Sequence, residues 1–466
     1  MTTTSSSTTQ TTTKTPSEFV NDEFETTWQW RIDTDPELAA SLGLLSQRRS
    51  KHTLDPRSLQ SFEQRIQWVE RALIRIQNGI TSEQIQNDLT KEEQLSYELY
   101  VKQLSDYVTY TREHKAYLCC INRLEGPQSD LPLYAKYIPV NKGKQWRIYY
   151  RDFLKAIPIQ INEVIELLKY GLIESRTPPQ ISLTNVVNQL RTMIDTKFHD
   201  AFQKPITTCF ILPDEQELKE ECQTLVESVV TNSFIQLTDF LEKDYIPNLR
   251  TEISATNGYP NGRSYYEDCL KFHTTTNMTP QEIHTLGINE VQRVRDEMEK
   301  IATNAGYKDK LDEYLDHLRT SSEYEPKSST WLLAHYRDIV GRIYPQLLNL
   351  FHLNTLPRQP LEILETPVAS ATMAPAAYYL AGSTNPTSPR PGMFYVNTYQ
   401  LSTRRTYECE ALALHEAIPG HHTQGAIQGE NLLPNYRRFQ EDRRYFEAPC
   451  RFPFYTGYIG MWLFVG

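Results

Sequence analysis

Residues 415 to 424, HEAIPGHHTQ, bring three histidines and one glutamate together within ten positions. Imidazoles are common zinc ligands, and a carboxylate beside them can take a proton from a metal-activated water. The familiar zinc-peptidase pattern is His-Glu-x-x-His, which places both histidines on one face of a helix. Here Pro419 occupies the fifth position, and the next histidines are His421 and His422.

A straight helix cannot direct His415 and His421 to one metal ion, because a residue six positions later points about 120° away. Pro419 lacks an N–H and its ring clashes with the carbonyl four residues earlier, so the helix must break there. Gly420 then lets the chain adopt dihedral angles closed to other residues and return His421 towards the metal. Two interpretations stay open: a zinc motif with a two-residue insertion, or a helix end beside which histidines gathered by chance.

The residues before this motif predict a strand followed by a helix. GMFYVNTY, residues 392 to 399, has the aromatic and β-branched side chains that favour a strand. LSTRRTYECEALALHEAI predicts a helix capped by Ser402 or Thr403. The seven prolines between 357 and 391, mixed with glycine and small residues, predict a long irregular connection.

Most of residues 55 to 352 is predicted to be helical. One amphipathic helix has Asp55-Pro56 as cap and first turn and ends at Gly79. Another begins at a capping box from Thr279 to Glu282. Its apolar residues are predicted to form one buried face: Ile283, Val291, Val294, Met298 and Ile301. Further apolar periodicities predict helices at about 85 to 110, 146 to 173, 214 to 243 and 330 to 351.

The charge and the N-terminal composition exclude several classes of protein. The formal charge is -10, with 58 acidic and 48 basic residues, so nucleic acid is not an expected partner. Residues 1 to 20, rich in Thr and Ser, predict a disordered tail without the apolar region of a secretory signal. No apolar run approaches the ~20 residues of a membrane helix, so we expect no membrane partner. The expected compartment is the cytosol, where the seven cysteines would be reduced thiols.

The motif HEAIPGHHTQ resembles that of the metallopeptidase-like family catalogued as domain of unknown function 885. That family's hallmark is His-Glu-x-x-x-Gly-His-x-x-Gln, and HEAIPGHHTQ fits every fixed position. The resemblance extends to three further stretches, which are PRPGMFYVNTY, TPQEIHTLGINEV and FQEDRRYFEAPCRFPFYTGY. It covers most of the chain after the tail and implies a single large helical domain over residues 21 to 466.

The resemblance implies a mostly α, gluzincin-like architecture with a short edge strand or small sheet beside the His-Glu helix. His415 and His421 would bind Zn²⁺, and Glu416 would be the general base in hydrolysis of peptide or related amide bonds. The strand 392 to 399 would lie beside the metal as an edge strand and pair with an extended peptide substrate. Tyr395 and Asn397 on this strand are the expected substrate contacts. His422 is the alternative ligand, and the oligomeric state is left open.

The sequence departs from the family near position 460. The resemblance implies a third zinc ligand, a glutamate, where this chain has Gly460, whereas Trp462 still matches. Glu441 and Glu447 are nearby carboxylates but more typical of a charged helix surface. We therefore expect a domain truncated at its C-terminus, with weak zinc affinity and little peptidase activity. The alternative functions are an inactive binding or scaffold protein and a metal-dependent hydrolase of non-peptide amides.

Overall fold

A computed structural model describes residues 14–123, 125–367, 371–372, 374–383, 389–431 and 433–438. This part of the chain is mostly helical with one small sheet, as predicted. The helices are α1 (Pro16–Thr34), α2 (Pro36–Ser41), α3 (Leu59–Gly79), α4 (Ser82–Asp88), α5 (Lys91–Val108), α6 (Pro127–Tyr137), α7 (Lys144–Ile173), α8 (Val186–Asp195), α9 (Lys204–Cys209), α10 (Gln216–Thr224), α11 (Thr231–Phe240), α12 (Ala255–Gly258), α13 (Gly262–Thr274), α14 (Pro280–Asn304), α15 (Leu311–Thr320), α16 (Ser329–Ile343), α17 (Cys409–Glu416), α18 (His421–Glu430) and α19 (Asn435–Arg438). The strands are β1 (Leu361–Glu365), β2 (Ala377–Leu380) and β3 (Gly392–Val396).

Two of the predicted helix starts can be compared with the structure. The capping box at Thr279 is present, with Pro280 as the first helical residue of α14. The predicted cap of α3 is wrong, because Ser58 accepts the backbone N–H of Ser61 and the helix begins at Leu59. Asp55 is instead buried, where its carboxylate lies 2.7 Å from a guanidinium nitrogen of Arg65.

The described structure begins earlier in the chain than the predicted end of the tail at residue 20. α1 begins at Pro16, and the hydroxyl of Thr15 accepts the backbone N–H of Glu18. Residues 14 to 20 are therefore part of the described structure, and residues 1–13 of the predicted tail lie outside it. This capping box indicates a helix start at the end of the Thr-rich run, although the composition of the run alone does not.

Three large groups of buried apolar side chains stabilise the described chain. The first lies among α6, α7, α8 and α11, where α7 contributes a buried stripe that includes Tyr150, Phe153 and Ile157. The second joins α1, α3 and α5, and Tyr436 of α19 packs into it. The third packs the sheet against α16 and α17, with Phe394 fully buried at its centre. The α17 helix that carries the motif is thus fixed by the third group.

The sheet corrects the predicted connection between 357 and 391. Both β1 and β2 lie inside that segment, and the strand order is β1-β3-β2. β3 pairs in parallel with β1 and antiparallel with β2, so it is the middle strand rather than an edge strand. Strands of four and five residues are too short to show a period among so many prolines, and their pairing with β3 defines them.

The helix that carries the motif starts later than predicted. Two short 3₁₀ turns, Leu401–Thr403 and Thr406–Glu408, precede α17, which begins at Cys409. Arg404 and Arg405 between the turns have extended backbone angles. Their guanidinium groups donate to the carbonyls of Asn397 and Ser321, respectively, which holds this stretch away from a helix.

α14 contradicts the prediction of a buried face. Every residue from 284 to 301 is exposed, and Ala302 is the one buried residue of the helix. Periodicity predicts which residues share a face, but it does not reveal which part of the chain covers that face.

The apolar character of the helices and the state of the cysteines can be read from the described residues. None of their helices combines the length and apolar character needed to span a membrane. Their six cysteines are all free thiols, in agreement with the prediction, and Cys450 lies outside the described residues.

Candidate functional site

The motif residues form a sharp turn between two short helices. α17 ends at Glu416, and Ala417 leaves the helical region with φ -102° and ψ -97°. The Ile418-Pro419 peptide bond is cis, and α18 begins at His421. The predicted break at Pro419 is therefore confirmed, and the chain returns within four residues.

Gly420 is required at this turn because the returning chain leaves no room for a side chain. Its φ of -69° and ψ of -136° lie outside the helical and extended regions that other residues favour, in agreement with the prediction. A Cβ at this position would also lie 1.9 Å from the carbonyl oxygen of His415 and 2.3 Å from that of Leu414. The chain turns back so closely over the end of α17 that only a residue without a side chain fits.

This close return brings His415, Glu416 and His421 together, and we call them the His-Glu-His cluster. One potential ligand atom from each residue lies within 4.8 Å of the others. The two imidazole rings are perpendicular, with centroids 5.0 Å apart. Both histidines are half-buried and Glu416 is buried, so the cluster is open to solvent on the histidine side.

The surroundings favour the neutral form of each residue in the cluster. Burial lowers the pKa of His415. Burial and, to a smaller extent, the charge of His415 lower the pKa of His421 to about 4. Both rings are therefore neutral at pH 7, and a neutral imidazole is the form that binds a metal. Burial raises the pKa of Glu416 to about 7.

The Glu416 carboxylate is held by the sheet. It accepts a hydrogen bond from the backbone N–H of Tyr379 in β2, which lowers its pKa against the effect of burial. Since β2 is an outer strand of the sheet, its Tyr379 N–H points away from β3 and towards α17. The strand that borders the cluster is therefore β2 and not the predicted strand β3.

His422 does not share the position of its neighbour His421. Its Nδ1 lies 3.2 Å from the hydroxyl of Tyr379, and its Nε2 lies 3.1 Å from the carbonyl oxygen of Gln359. Because a carbonyl only accepts, Nε2 carries the proton and Nδ1 accepts from the tyrosine. Both ring nitrogens are engaged inside the protein, and this arrangement favours His421 over His422 as the metal ligand.

A glycine in β3 makes room for the contact between Tyr379 and His422. A Cβ at Gly392 would lie 2.4 Å from the Tyr379 hydroxyl and 2.5 Å from His422 Nδ1. Gly392 begins the strand predicted beside the metal, whereas no sequence motif marks Tyr379 or Gln359 as part of the site. Tyr379 lies in the stretch predicted to be irregular, so sequence reasoning had no periodic or motif signal for it.

The structure does not bring the two predicted substrate residues to the cluster. Tyr395 points to the face of the sheet opposite Phe394, because side chains alternate along a strand, and its ring stacks on Tyr378 at 5.0 Å. Asn397 is fully buried, and its amide donates to the carbonyls of Ala371 and Ala374. Asn397 thus braces the loop before β2, a position that does not fit substrate binding.

The residues considered for the third metal ligand lie near the end of the sequence. Gly460, Trp462, Glu441 and Glu447 all lie outside the described residues. Within the described part of the chain, the cluster supplies two imidazoles and one carboxylate.

Comparison with known proteins gives a family and a fold. A crystal structure of a protein described as a putative lipoprotein from Colwellia psychrerythraea is similar, with a TM-score of 0.81 over 97% of this chain and 79% of that one. The sequence identity is 19%, so this likeness concerns the fold alone. No curated protein matches the chain. The profile of the family described as "Bacterial protein of unknown function (DUF885)" matches residues 36–447, and the chain belongs to that family.

Proposed function

We propose that this protein is a zinc-dependent hydrolase of peptide or related amide bonds. The observation that carries the proposal is the turn at Gly420, which brings two imidazoles and a carboxylate within 4.8 Å of one another. In the proposal, His415 and His421 bind the metal and Glu416 is the general base.

The donor set fits zinc by its chemistry. Zinc prefers imidazole nitrogen with carboxylate oxygen, and catalytic sites use about three protein ligands and leave one position open. The cluster offers two neighbouring imidazoles that are half-buried, with their rings perpendicular to each other. When bound there, zinc would polarise a scissile carbonyl and lower the pKa of a water molecule.

Glu416 is positioned to move the protons of such a reaction. Its carboxylate is buried beside both histidines and is oriented by the Tyr379 N–H. A carboxylate held in this way can take a proton from the attacking water and later give it to the leaving amine nitrogen. His422 contributes indirectly, since its bond to Tyr379 steadies the residue that orients Glu416.

The substrate would lie beside β2. Of the described strands, β2 has only β3 as a partner, so its outer edge faces the cluster. An extended peptide can pair with such an edge through main-chain hydrogen bonds, whereas a compact non-peptide amide gains little from it. Peptides are therefore the proposed substrate class. They would pair with β2, and not with β3 as the sequence predicts.

Zinc content and peptide hydrolysis together test the proposal. The chain and its variants are loaded with zinc, dialysed, analysed for bound metal and incubated with a peptide library read by mass spectrometry. His415→Ala and His421→Ala are expected to lose the zinc, while Glu416→Gln keeps it and lowers the hydrolysis rate by about 10² to 10⁴.

His422→Gln is the matched control, because it alters the adjacent histidine and retains a donor for the Gln359 carbonyl. It is expected to keep the zinc. Unchanged zinc in both alanine variants would contradict the ligand assignment. Zinc binding without hydrolysis of any library peptide would favour the binding-protein alternative.

A further inference from the structure

An open cavity of about 780 Å³ lies at one end of the sheet. Pro360 and Pro391 in its wall directly precede β1 and β3, and Ser383 follows the end of β2. Parts of three segments, 354–360, 389–391 and 427–431, line it together with Ser383 and Arg438. A volume of this size is typical of a site for a small organic molecule. We call it the sheet-end cavity.

The sheet-end cavity and the His-Glu-His cluster lie at opposite ends of α18. His421 is the first residue of that helix, and Glu430, which lines the cavity, is the last. At about 1.5 Å per residue, these two residues lie about 13 Å apart along the helix axis. The cavity is therefore a second place at which a molecule can bind, and a small occupant does not reach the cluster.

The wall of the sheet-end cavity is positively charged. Arg358, Arg390 and Arg438 bring three guanidinium groups to it, and Glu430 supplies one carboxylate among the described lining residues. That carboxylate already accepts the backbone N–H groups of Arg358 and Gln359, each at 2.8 Å. Since it forms no ion pair with an arginine in the described part of the chain, it leaves the positive charge in excess. The whole chain has a formal charge of -10, so this local excess is opposite in sign to the rest of the protein.

Arg358 and Arg390 have no carboxylate partner among the described residues. A guanidinium has five N–H donors. That of Arg390 lies over the Tyr137 ring, 4.6 Å from its centroid, and donates to the carbonyl of Ser41. The Nε of Arg390 is buried and has no acceptor in the described structure. The Arg358 residue is exposed. Either arginine can therefore bind an anion without first breaking an ion pair.

We propose that the sheet-end cavity binds a small organic anion through a carboxylate or phosphate group. Guanidinium groups bind both groups with charge-assisted hydrogen bonds and stay charged at physiological pH. Leu356, Pro360 and Ile427 add apolar surface to the wall, which would contact an apolar body of the ligand. A cleft lined by positive charge also raises the local concentration of anions. This inference does not depend on the proposed hydrolase activity.

Ligand-observed NMR titration of the whole chain without added zinc tests the proposal. Hexanoate and hexyl phosphate carry the two head groups on the same apolar body. 1-Hexanol has that body without a charge, and inorganic phosphate has the charge without the body. We expect at least one of the two organic anions to bind at least about tenfold more tightly than 1-hexanol and inorganic phosphate. The head group that binds more tightly identifies the class of anion.

Arg358→Met removes one guanidinium and retains the backbone N–H that binds Glu430. It is expected to weaken binding of the organic anion at least about tenfold. Arg71→Met is the matched control, because Arg71 is exposed on α3, does not line the cavity and carries the same charge. It should leave the affinity unchanged. Arg390→Met should weaken binding by a similar factor, and thermal unfolding checks that the loss of its bond to Ser41 leaves the chain folded.

Four outcomes would overturn the proposal. They are no binding of either organic anion, equal affinity for 1-hexanol, equal affinity for inorganic phosphate, and equal losses in Arg358→Met and Arg71→Met. Binding that disappears in His421→Ala but persists in Arg358→Met would place the anion at the His-Glu-His cluster, and it would overturn the proposal as well.

Discussion

Two places in the described structure gather three histidine and carboxylate side chains within 4.8 Å of one another: the His-Glu-His cluster and a second cluster of Glu113, His114 and Asp268. In the second cluster, His114 Nε2 already lies 2.8 Å from the Asp268 carboxylate. Lys271 lies 3.8 Å from that carboxylate, and Arg176 donates to the backbone carbonyl of His114. This pair is buried on the histidine side and joins α13 to the turn after α5.

The difference shows what turns a set of donor types into a candidate site. In the Glu-His-Asp cluster, the imidazole is committed to a carboxylate and two cations stand nearby, which disfavours a further cation. In the His-Glu-His cluster, two imidazoles lie next to each other with perpendicular rings, and the carboxylate is held by a backbone N–H. We therefore interpret the Glu-His-Asp cluster as structural and the His-Glu-His cluster as functional. The following predictions test this contrast.

The largest effect is expected for Gly420→Ala. The new Cβ would lie 1.9 Å from a main-chain oxygen, so the turn must open, and we expect a loss of about 3 kcal/mol or more in the free energy of unfolding. Zinc binding should be lost with it. Gly425→Ala is the control, since no atom lies within 4 Å of its Cβ position in α18. It should stabilise by about 0.5–1 kcal/mol, and equal effects in urea unfolding would contradict the close-return argument.

Zinc itself should stabilise the folded chain through the His-Glu-His cluster alone. At a free zinc concentration about 100 times Kd, the expected gain is about 2.7 kcal/mol, measured by thermal unfolding with and without the metal. His415→Ala should abolish this gain, whereas His114→Ala should retain it. A gain that disappears with His114 would reverse the interpretation of the two clusters.

Removal of the buried histidine of the Glu-His-Asp cluster should instead weaken the fold. His114→Ala removes a nearly buried ring and its hydrogen bond to Asp268, for an expected loss of about 2 kcal/mol in urea unfolding. His284→Ala on the exposed side of α14 is the control, with a change within about 0.5 kcal/mol. An unchanged free energy of unfolding in His114→Ala would mean that the pair of His114 and Asp268 does not stabilise the fold.

The smallest effect on stability is expected for Tyr379, whose backbone N–H binds the Glu416 carboxylate. Tyr379→Phe removes the hydroxyl that bonds to His422 Nδ1, and the expected loss is about 1 kcal/mol. Tyr395→Phe, on the opposite face of the sheet, removes only a weak 3.5 Å contact to the Met393 sulfur and should change stability by less than about 0.5 kcal/mol. The difference is measured by urea unfolding, and the reverse order would show that Tyr395 is the more important of the two.

The sequence predicted the break in the helix at the turn, but it did not predict the residues of the sheet that contact the turn. The break at Pro419 follows from the missing N–H and the ring clash, which are properties of one residue and act in any context. The roles of Tyr379 and Gly392 depend on the pairing of β2 with β3, a contact between residues that no local pattern links. The position of Asn397 depends on the fold in the same way, since only the fold shows that its amide donates to the loop before β2.

The helices show a similar limit. The capping box at Thr279 is a local arrangement and was predicted correctly, together with the face that carries Val294. The burial of that face depends on its partner, and no periodicity within α14 supplies it. The edge position of β3 failed likewise, because a five-residue strand does not reveal how many neighbours it has.

The glycine between Tyr379 and His422 links three positions that are distant in the chain. A side chain at 392 would occupy the space of the hydroxyl and of the ring nitrogen, each less than 3 Å away. Among relatives, larger residues at 392 should therefore occur only together with a smaller residue at 379 or a change at 422. These three positions should vary as a set over evolution, even where the zinc motif itself stays the same.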